Sequence, residues 1–439
     1  MKRFLVILLS LFMVFAFSGC DLFTSDTAEL LSPPSPTGEL NFIAEAIKTS
    51  VEGDYTFKYP SRGSYRSAVV QEDINGDGIL EAFAFYSMTD GETATMHINA
   101  ISFKDNKWKS VAQQKIVAGG VDKIEFCDLD DDGIKEILVG WQVYGTSEMQ
   151  LAVYSPTENA LVQRMLQRYT HFITCDLNEN DQSEVFIIKS GSMENANTAA
   201  VYELTEEGVN NVSSCLLDSS SMTFNEPVLD ELSTGRPAVY IDEVKGVGAI
   251  TEVLFFEKDE LVNPLLQVET GETTSTLRSA IYGIRDINGD GIIEIPVQEN
   301  VPSVASSVIN EKLYLTTWCS FNGEKLVSQK TMMININDGY AFVIPPKWVG
   351  NIAVLKDTEN HIRDVYRYNP EDMTVGESLF YIKAVPKKDW DAGKYKANGI
   401  DEIVNNGETS FICRISSTAL QEGITLEEVK ASFSFYEVD

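Results

Sequence analysis

The chain has 439 residues, with 66 Asp and Glu against 34 Lys and Arg, so its formal net charge is −32 at pH 7. This length exceeds one ordinary hydrophobic core, so we expect two domains and an export segment. The acidic balance argues against a nucleic-acid partner, because phosphate binding needs clustered Lys and Arg.

Residues 1–19 have the features of a secretory signal peptide. Met1-Lys2-Arg3 is a charged start, and residues 4–17 are apolar except for Ser10, a stretch too short to span a bilayer comfortably. The end of the segment, Phe17-Ser18-Gly19-Cys20, resembles the lipobox of bacterial lipoproteins, in which the cysteine is lipidated and becomes the mature N-terminus. The resemblance implies a lipid anchor on Cys20 and a location on the outer face of the bacterial cytoplasmic membrane. The alternative is an ordinary secreted protein.

Two short segments follow the signal peptide. Residues 20–38 include Ser32-Pro-Pro-Ser-Pro36, a composition that stays extended, so this segment is predicted to be a flexible tether. Residues 39–51 place Leu40, Ile43, Ile47 and Val51 on one helical face. They predict a short amphipathic helix that packs on the following domain.

A nine-residue pattern then recurs at Asp73–Glu81, Asp128–Glu136 and Asp286–Glu294, with a weaker copy from Asp176 to Glu184. Carboxylate or carboxamide oxygens at positions 1, 3 and 5, a backbone carbonyl at position 7 and a carboxylate at position 9 can converge on one hard cation. Oxygen-only ligation favours calcium. Glycine at position 6 permits the sharp turn, and Asp181 replaces it in the weak copy, which predicts a strained or different turn there.

An EF-hand or dockerin loop opens with the same pattern but needs a ligand at position 12. That position holds Ala84, Val139 and Val297, which excludes both loop types. The residues before and after each turn are strand-like, so the turns are expected to join strands.

These turns resemble the FG-GAP or VCBS-type repeats of integrin-alpha-like β-propellers, although the Phe-Gly-Gly-Ala-Pro signature is absent. The resemblance implies calcium as cofactor, a turn between the first two strands of each blade, and a defined ligand set. Its members are Asp73, Asn75, Asp77, Ile79 and Glu81; Asp128, Asp130, Asp132, Ile134 and Glu136; and Asp286, Asn288, Asp290, Ile292 and Glu294.

The spacing of the turns predicts further units. They start at residues 73, 128, 176 and 286, and the last interval is twice 55, so a unit without ligands is expected near Asp230. Each unit continues into a hairpin, and four short strands in about 50 residues match one propeller blade. Five units are countable, and a sixth could come from the segment before residue 66 with strands beyond 331. Tandem sandwich-like repeats are the alternative.

Cysteines and histidines give no catalytic motif. Cys127 and Cys175 precede the turn in successive units, where two small buried residues are favoured over a disulfide. His97, His171 and His361 lack metal-ligand spacing, and nucleophile-elbow and Walker motifs are absent.

The pattern changes near residue 332. Strand-like segments, a helix-like Lys387–Trp390 and a capping box at Thr425–Glu428 predict a small α+β domain over 332–439. The alternative is that these strands complete the propeller.

The sequence therefore predicts a mainly β chain: a β-propeller of five to six four-stranded blades with calcium turns (39–331) and a small C-terminal α+β domain. The predicted function is a non-catalytic binding or scaffold module, anchored to the membrane through the lipid on Cys20, with an extracellular protein or glycan as ligand. The alternative is an extracytoplasmic hydrolase or lyase built on the propeller. A cleft lined by paired carboxylates with aromatic platforms would favour the enzyme.

Overall fold

The computed structural model describes residues 39–90, 93–192, 195–205, 208–279, 282–302, 313–397 and 399–436. The predicted signal peptide, the lipidation at Cys20 and the tether lie outside the described residues. Strands account for 54% and helices for 8%, which confirms the mainly β prediction. None of the helices in the described ranges is long and apolar enough to cross a membrane.

The predicted N-terminal helix is present as α1 (Glu39–Ser50). The segment contains neither Gly nor Pro, and Ile43 and Ile47, four residues apart, are fully buried against the first sheet. Leu40 was expected on the same face but is 44% exposed, because it lies at the start of the helix and beyond the edge of that sheet's core.

Four antiparallel sheets follow in chain order. The first contains β1 (Tyr55–Phe57), β2 (Val69–Glu72), β3 (Glu81–Asp90), β4 (Thr93–Lys104) and β5 (Lys107–Ile116), and the second contains β6 (Ala118–Cys127), β7 (Glu136–Val143), β8 (Met149–Pro156) and β9 (Leu161–Tyr169). The third contains β10 (His171–Cys175), β11 (Glu184–Lys189), β12 (Thr198–Thr205) and β13 (Gly208–Leu216). The fourth contains β14 (Thr223–Phe224), β15 (Val228–Glu231), β16 (Pro237–Lys245), β17 (Gly248–Glu257), β18 (Glu260–Val262) and β19 (Arg278–Ser279).

Neighbouring sheets pack face to face. In β7, Ile137 and Val139 share a core with the first sheet, whereas Leu138 between them shares a core with the third. Successive side chains of a strand point to opposite faces, so a sheet covered on both sides is apolar on both faces. The second sheet is therefore buried between its neighbours. This is a β-propeller-like arrangement, and it differs from a sandwich repeat, where one face of each sheet meets solvent.

The unit without ligands near Asp230 is confirmed as the fourth sheet. β15 and β16 are joined by a turn around Gly235 and pair in antiparallel register. The predicted hairpins are present as well, as β8–β9, β12–β13 and β17–β18.

The fifth sheet contains β20 (Ile295–Asn300), β21 (Tyr314–Phe321), β22 (Leu326–Asn335) and β23 (Tyr340–Val343). The sixth contains β24 (Ile352–Asp357), β25 (Ile362–Asn369), β26 (Thr374–Pro386), β27 (Ile400–Asn405) and β28 (Thr409–Ile415), in the order β24-β25-β26-β28-β27. Near it lie a 3-10 helix (Pro346–Trp348), α2 (Lys387–Asp391), α3 (Ser417–Gln421) and α4 (Leu426–Ser432). The last strand, β29 (Phe433–Phe435), pairs with β23.

The boundary predicted between residues 331 and 332 needs correction, because it falls inside β22. Residues 332–343 complete the fifth sheet, and Met333 and Phe342 from it share one core with Val365 and Phe380 of the sixth. The change in the sequence pattern near residue 332 reflects longer strands and added helices, and the hydrogen-bonded sheet continues across it. The capping box at Thr425 is present at the start of α4.

Candidate functional site

The four acidic turns share one backbone geometry. In each, the backbone N–H at position 6 donates to the carboxylate at position 1. The donor and acceptor pairs are Gly78 and Asp73 at 2.9 Å, Gly133 and Asp128 at 2.9 Å, Asp181 and Asp176 at 3.1 Å, and Gly291 and Asp286 at 2.9 Å. In chain order, the first three turns join β2 to β3, β6 to β7 and β10 to β11, and the fourth leads into β20. The turns therefore occupy the positions that the sequence predicted.

Position 6 explains the glycines and the weak copy. Gly133 has φ +84°, a left-handed conformation that glycine adopts without strain. Asp181 holds the same position at φ +68°. Aspartate tolerates this region better than most residues, so the weak copy keeps the turn instead of adopting a different one.

The glutamate at position 9 closes each turn from the buried side. Glu136 accepts a hydrogen bond from the Leu129 backbone N–H at 2.9 Å, and Glu184 accepts one from Leu177 at 2.8 Å. Burial raises the pKa of both carboxyl groups to about 7. The apolar residue at position 2 is buried beneath the turn, as in Leu129 and Leu177, which explains its recurrence.

The second turn gathers the most complete ligand set. Asp128, Asp130 and Glu136 each offer an oxygen, and these atoms all lie within 4.8 Å of one another. The Oδ1 atoms of Asp128 and Asp130 are buried and have no hydrogen-bond partner. Buried carboxylate oxygens without donors are rare, and a hard cation would satisfy them. The residues of this turn therefore fit calcium.

The first and last strong turns differ because Asn occupies position 3. Asn75 Nδ2 donates to Asp77 at 3.1 Å, and Asn288 Nδ2 donates to Asp290 at 3.0 Å. In both turns the amide NH₂ thus lies against a carboxylate that the sequence assigned to the metal. Ile79, assigned through its carbonyl, has a side chain that is 45% exposed.

A second constellation lies among the first strands of successive sheets, and the sequence did not predict it. We call it the central charged cluster; its members are Arg62, Asp122, Lys123, Tyr169, His171 and Glu226. They come from the segment before β2, from β6, from the end of β9, from the start of β10 and from the loop between β14 and β15. The register of β6 shifts between Val121 and Ile124. Such a bulge re-aims adjacent side chains, so Asp122 and Lys123 can both take part.

Asp122 is the anchor of the cluster and is 2% exposed. Its carboxylate accepts hydrogen bonds from Arg62 Nη2 at 2.6 Å, from Arg62 Nε at 2.9 Å, from Tyr169 Oη at 2.5 Å and from Ser61 Oγ at 2.9 Å. Burial by itself would raise the pKa of Asp122, but the bonds from Arg62, Tyr169 and Ser61 outweigh it and hold that pKa below the ordinary value. The carboxylate is thus charged, and it fixes the Arg62 guanidinium.

His171 is held between two acceptors. Its Nε2 lies 2.8 Å from the buried Phe224 carbonyl, and its Nδ1 lies 2.8 Å from Glu226 Oε2. A carbonyl and a carboxylate both need donors, so this geometry fits the doubly protonated imidazolium. Arg62 Nη1 lies 3.3 Å from the same Nδ1, and it can donate only when Nδ1 carries no proton. The surroundings therefore accommodate both protonation states.

Lys123 and Glu226 complete the cluster. Lys123 Nζ lies 2.7 Å from Glu226 and 2.7 Å from Glu125, with the ammonium 4.8 Å from the centre of the Phe172 ring. The bond with His171, assisted by Lys123, lowers the pKa of Glu226 to about 2. The side chains of Glu226 and Arg62 are 49% and 36% exposed, whereas that of His171 is 11% exposed. Solvent therefore reaches the cluster through Glu226 and Arg62.

The cluster and the acidic turns lie at different levels of the first strands. Lys123 lies within β6, and Asp128 follows the end of that strand. Five residues of extended chain separate them by about 16 Å. A metal in the turn would therefore not contact the groups of the cluster.

The fourth sheet, which has lost the acidic turn, contains a buried acidic group of its own. Asp218, Glu243 and Glu252 are each 0% exposed. Asp218 pairs with Lys245 at 2.7 Å, and Glu252 accepts hydrogen bonds from Thr273 Oγ1 at 2.7 Å and from the Asp218 N–H at 3.0 Å. The two side-chain oxygens of Glu243 have no hydrogen-bond partner of ordinary geometry. Burial, and next the neighbouring Glu252 carboxylate, raises the pKa of Glu243.

The remaining predictions from the sequence concern the cysteines and the histidines. The five cysteines of the described part are all free thiols, so Cys127 and Cys175 form no disulfide; Cys175 is buried, which raises its pKa, whereas Cys127 is only half-buried. His97 stacks on Tyr86, and His361 is exposed beside Asp338. His171 is the one of the three histidines that lies in the central charged cluster, and its spacing in the sequence gave no signal because its partners lie more than 50 residues away.

Comparisons with known proteins give structural neighbours only. No family model and no curated protein matches the chain. The periplasmic gluconolactonase PpgL of Pseudomonas aeruginosa is similar over 73% of this chain and 87% of its own, with 14% identity and a TM-score of 0.29. The exotype rhamnogalacturonan lyase YesX is similar over 82% of this chain and 90% of its own, with 9% identity and a TM-score of 0.30. Fructan 1-exohydrolase IIa from Cichorium intybus is similar over 79% of this chain and 89% of its own, with 11% identity and a TM-score of 0.25.

These three neighbours are a lactonase, a lyase and a hydrolase. They contradict the prediction of a non-catalytic binding or scaffold module and the prediction that the chain is not an enzyme, and both are withdrawn. Identities and TM-scores this low transfer no activity or substrate to this chain. Its chemistry has to be argued from its own residues.

Proposed function

We propose that this protein is an extracytoplasmic hydrolase or lyase whose catalytic centre is the central charged cluster. The observation that carries the proposal is the position of His171, whose imidazole lies between Glu226 and a buried carbonyl and beside the Arg62 guanidinium. A proton donor and acceptor, an oriented carboxylate and a fixed cation in one partly exposed site are the groups that acid–base catalysis requires.

Each group has a distinct role in this proposal. The Nε2–H of His171 is tied to the Phe224 carbonyl, so Nδ1 exchanges a proton with substrate when the half-exposed Glu226 side chain moves away from it. Glu226 positions the ring and stabilises the imidazolium. Arg62 binds the anionic group or the oxyanion that forms during reaction, and a guanidinium held rigidly by Asp122 needs no reorganisation to do so. Lys123 fixes Glu226 and adds positive charge.

Hydrolysis and elimination both use these groups. In hydrolysis, His171 removes a proton from water and returns it to the leaving group. In elimination, it moves a proton between a carbon next to a carbonyl or carboxylate and the leaving oxygen, while Arg62 neutralises the adjacent anion. The cluster does not distinguish the two reactions, so an assay has to cover both.

A panel of three assays tests the proposal with purified full-length protein: lactone hydrolysis, release of reducing ends from polysaccharides, and formation of unsaturated products from uronate-containing polysaccharides. We expect turnover in one assay, a loss of at least about 100-fold in His171→Asn, and no loss in His361→Asn. The second variant is a matched control because His361 is an exposed histidine paired with Asp338. Equal activity of the two variants, or no turnover in any assay, would contradict the proposal.

We also propose that the three strong turns bind calcium and that the ions are structural. The unpartnered oxygens of Asp128 and Asp130 support the second site. At ~1 mM calcium, a site with a dissociation constant of ~0.1 mM would stabilise the fold by roughly 1.4 kcal/mol, so three sites would add about 4 kcal/mol. Chelation should lower the melting temperature. A melting curve that does not respond to chelator, with all turns intact, would show that they are ordinary turns.

The location is proposed from the N-terminal sequence: a lipid on Cys20 anchors the protein at the outer face of the bacterial cytoplasmic membrane. Cys20→Ser should release the protein from the membrane fraction. Unchanged fractionation of the variant would place the anchor elsewhere.

A further inference from the structure

An apolar groove lies between α1 and the β4–β5 hairpin. It has a volume of about 970 Å³, and Phe42, Phe103 and Trp108 line it together with the aliphatic part of Lys107. Phe42 is 66% exposed and Phe103 is 40% exposed, and the Phe103 and Trp108 rings are 5.6 Å apart. Exposed aromatic rings grouped in this way mark an interaction site.

The hairpin on one side of the groove carries a charge opposite to that of the protein as a whole, whereas α1 on the other side contributes Glu45 to the lining. Residues 103–116 contain Lys104, Lys107, Lys109 and Lys115 and one acidic residue, Asp105, in a chain of net charge −32. All four lysines are exposed, and Asp105 is already paired with Lys109 at 2.6 Å. The hairpin is thus a local cationic surface that carries aromatic side chains.

This combination matches one kind of occupant. Aromatic rings flanked by lysines insert at the boundary between lipid headgroups and acyl chains, where the rings displace water and the ammonium groups meet anionic headgroups. An acidic soluble partner would satisfy the lysines but has no evident need for the exposed aromatic rings.

The position of the groove in the chain agrees with this occupant. α1 begins at Glu39, 19 residues after Cys20. A flexible segment of that length spans about 25 Å on average, so the helix would remain close to a membrane that holds the anchor. This step rests on the proposed location, whereas the groove and its charges do not.

We propose that the groove and the β4–β5 hairpin form a docking surface for anionic lipid bilayers. The rings of Phe42 and Phe103 enter the headgroup region over the buried Trp108, and Lys104 and Lys107 contact the lipid anions. The surface holds the protein in one orientation on the membrane. It works with the anchor, since a lipid chain and a basic patch together bind more stably than either alone.

The test uses the mature chain from residue 20 with Cys20→Ser, so that no lipid anchor contributes. Binding is measured by co-sedimentation with vesicles of phosphatidylcholine alone and of phosphatidylcholine with phosphatidylglycerol. We expect binding to the anionic vesicles only. Each lysine near such a surface strengthens binding about fivefold, so Lys104→Glu with Lys107→Glu should weaken it by at least about 30-fold.

A matched double variant carries the same change in charge elsewhere: Lys325→Glu with Lys388→Glu, two exposed lysines outside the hairpin. It should bind as the parent chain does. Phe42→Ser, at a position whose exposure makes loss of folding unexpected, should also weaken binding. Vesicle binding is read independently of turnover and of lipidation, so its failure is distinguishable from failure of the proposed activity or location.

Three outcomes would overturn the proposal. The first is that the parent chain does not bind anionic vesicles. The second is an equal loss of binding in the two double variants, which would mean a diffuse charge effect. The third is that Phe42→Ser leaves vesicle binding unchanged and abolishes self-association of the chain, which would assign the groove to a second copy.

Discussion

Replacement of Glu243 by glutamine is expected to stabilise the protein at neutral pH. Glu243 lies in β16 with 0% exposure. Burial, and next the neighbouring Glu252 carboxylate, raises the pKa of Glu243 far above its ordinary value. The folded protein therefore holds this carboxyl in its neutral form at pH 7, whereas the unfolded chain ionises it near pH ~4.5.

The size of the effect follows from this difference. A group with a raised pKa in the folded state contributes fully to stability below its unfolded pKa, and that contribution declines as the pH rises toward the folded pKa. The decline is about 1.4 kcal/mol per pH unit, or about 3.4 kcal/mol between pH ~4.5 and pH 7. Glutamine is neutral at every pH and has nearly the same shape, so Glu243→Gln should recover up to about 3 kcal/mol at pH 7 and close to nothing near pH ~4.5.

Urea unfolding followed by tryptophan fluorescence at several pH values from about 5 to about 8 would measure this difference. The gap between Glu243→Gln and the parent chain should widen steadily with pH. The matched control is Glu252→Gln, which should destabilise, because an amide cannot replace both acceptor oxygens that bond to Thr273 and to the Asp218 N–H. A Glu243→Gln variant that is less stable at pH 7, or whose gap does not depend on pH, would refute the reasoning.

Three further outcomes are expected. Glu226→Gln should lower the free energy of unfolding by at most about 1 kcal/mol at pH 7, because the side chain is half exposed. The difference from the parent should vanish as the pH falls from about 4.5 toward about 2, the depressed pKa of Glu226. Acid titration of both proteins checks this. Gly140→Ala should cost about 1 to 3 kcal/mol and lower turnover, since its Cβ would overlap the Tyr169 hydroxyl; unchanged melting would contradict it. Asp128→Ala should reproduce part of the loss of stability on chelation, whereas Asp176→Ala in the weak turn should have little effect. Calorimetry of both variants with calcium checks this, and a larger loss of stability in Asp176→Ala than in Asp128→Ala would contradict it.

The acidic turns and hairpins could be predicted from the sequence because their determinants are local. The ligand spacing, the glycine at position 6 and the buried residue at position 2 all act within nine residues, and the interval of about 50 residues between turns located the fourth sheet. The end of the fifth sheet could not be found this way. β22 continues past residue 331 because Met333 pairs with Phe342 of β23, and that hairpin has no acidic turn to mark it.

The central charged cluster could not be predicted because its contacts are not local. Arg62 and His171 are 109 residues apart, and Tyr169 reaches Asp122 across 47 residues. Their meeting depends on how successive sheets pack and on the bulge in β6, neither of which leaves a spacing in the sequence. One signal was available: Asp122 and His171 both lie in the first strand of a repeat unit, ahead of the acidic turn, where the repeat pattern alone requires no charged residue.

The first strands of the sheets thus position both the acidic turns and the residues of the central charged cluster. In β6, the residues from Ile124 onward follow the regular register that leads into the turn at Asp128, while the residues before it leave that register and bring Asp122 and Lys123 into the cluster. A turn that is fixed at one end of the strand restrains where the other end can lie, because Ile124 and Phe126 pack in the core shared with the first sheet and the strand cannot slide without breaking that packing. Under the proposed function, this coupling gives a structural reason for turns of this type about 16 Å from the central charged cluster. The turns hold the first strands in register, and the register determines whether Arg62, Asp122 and His171 meet.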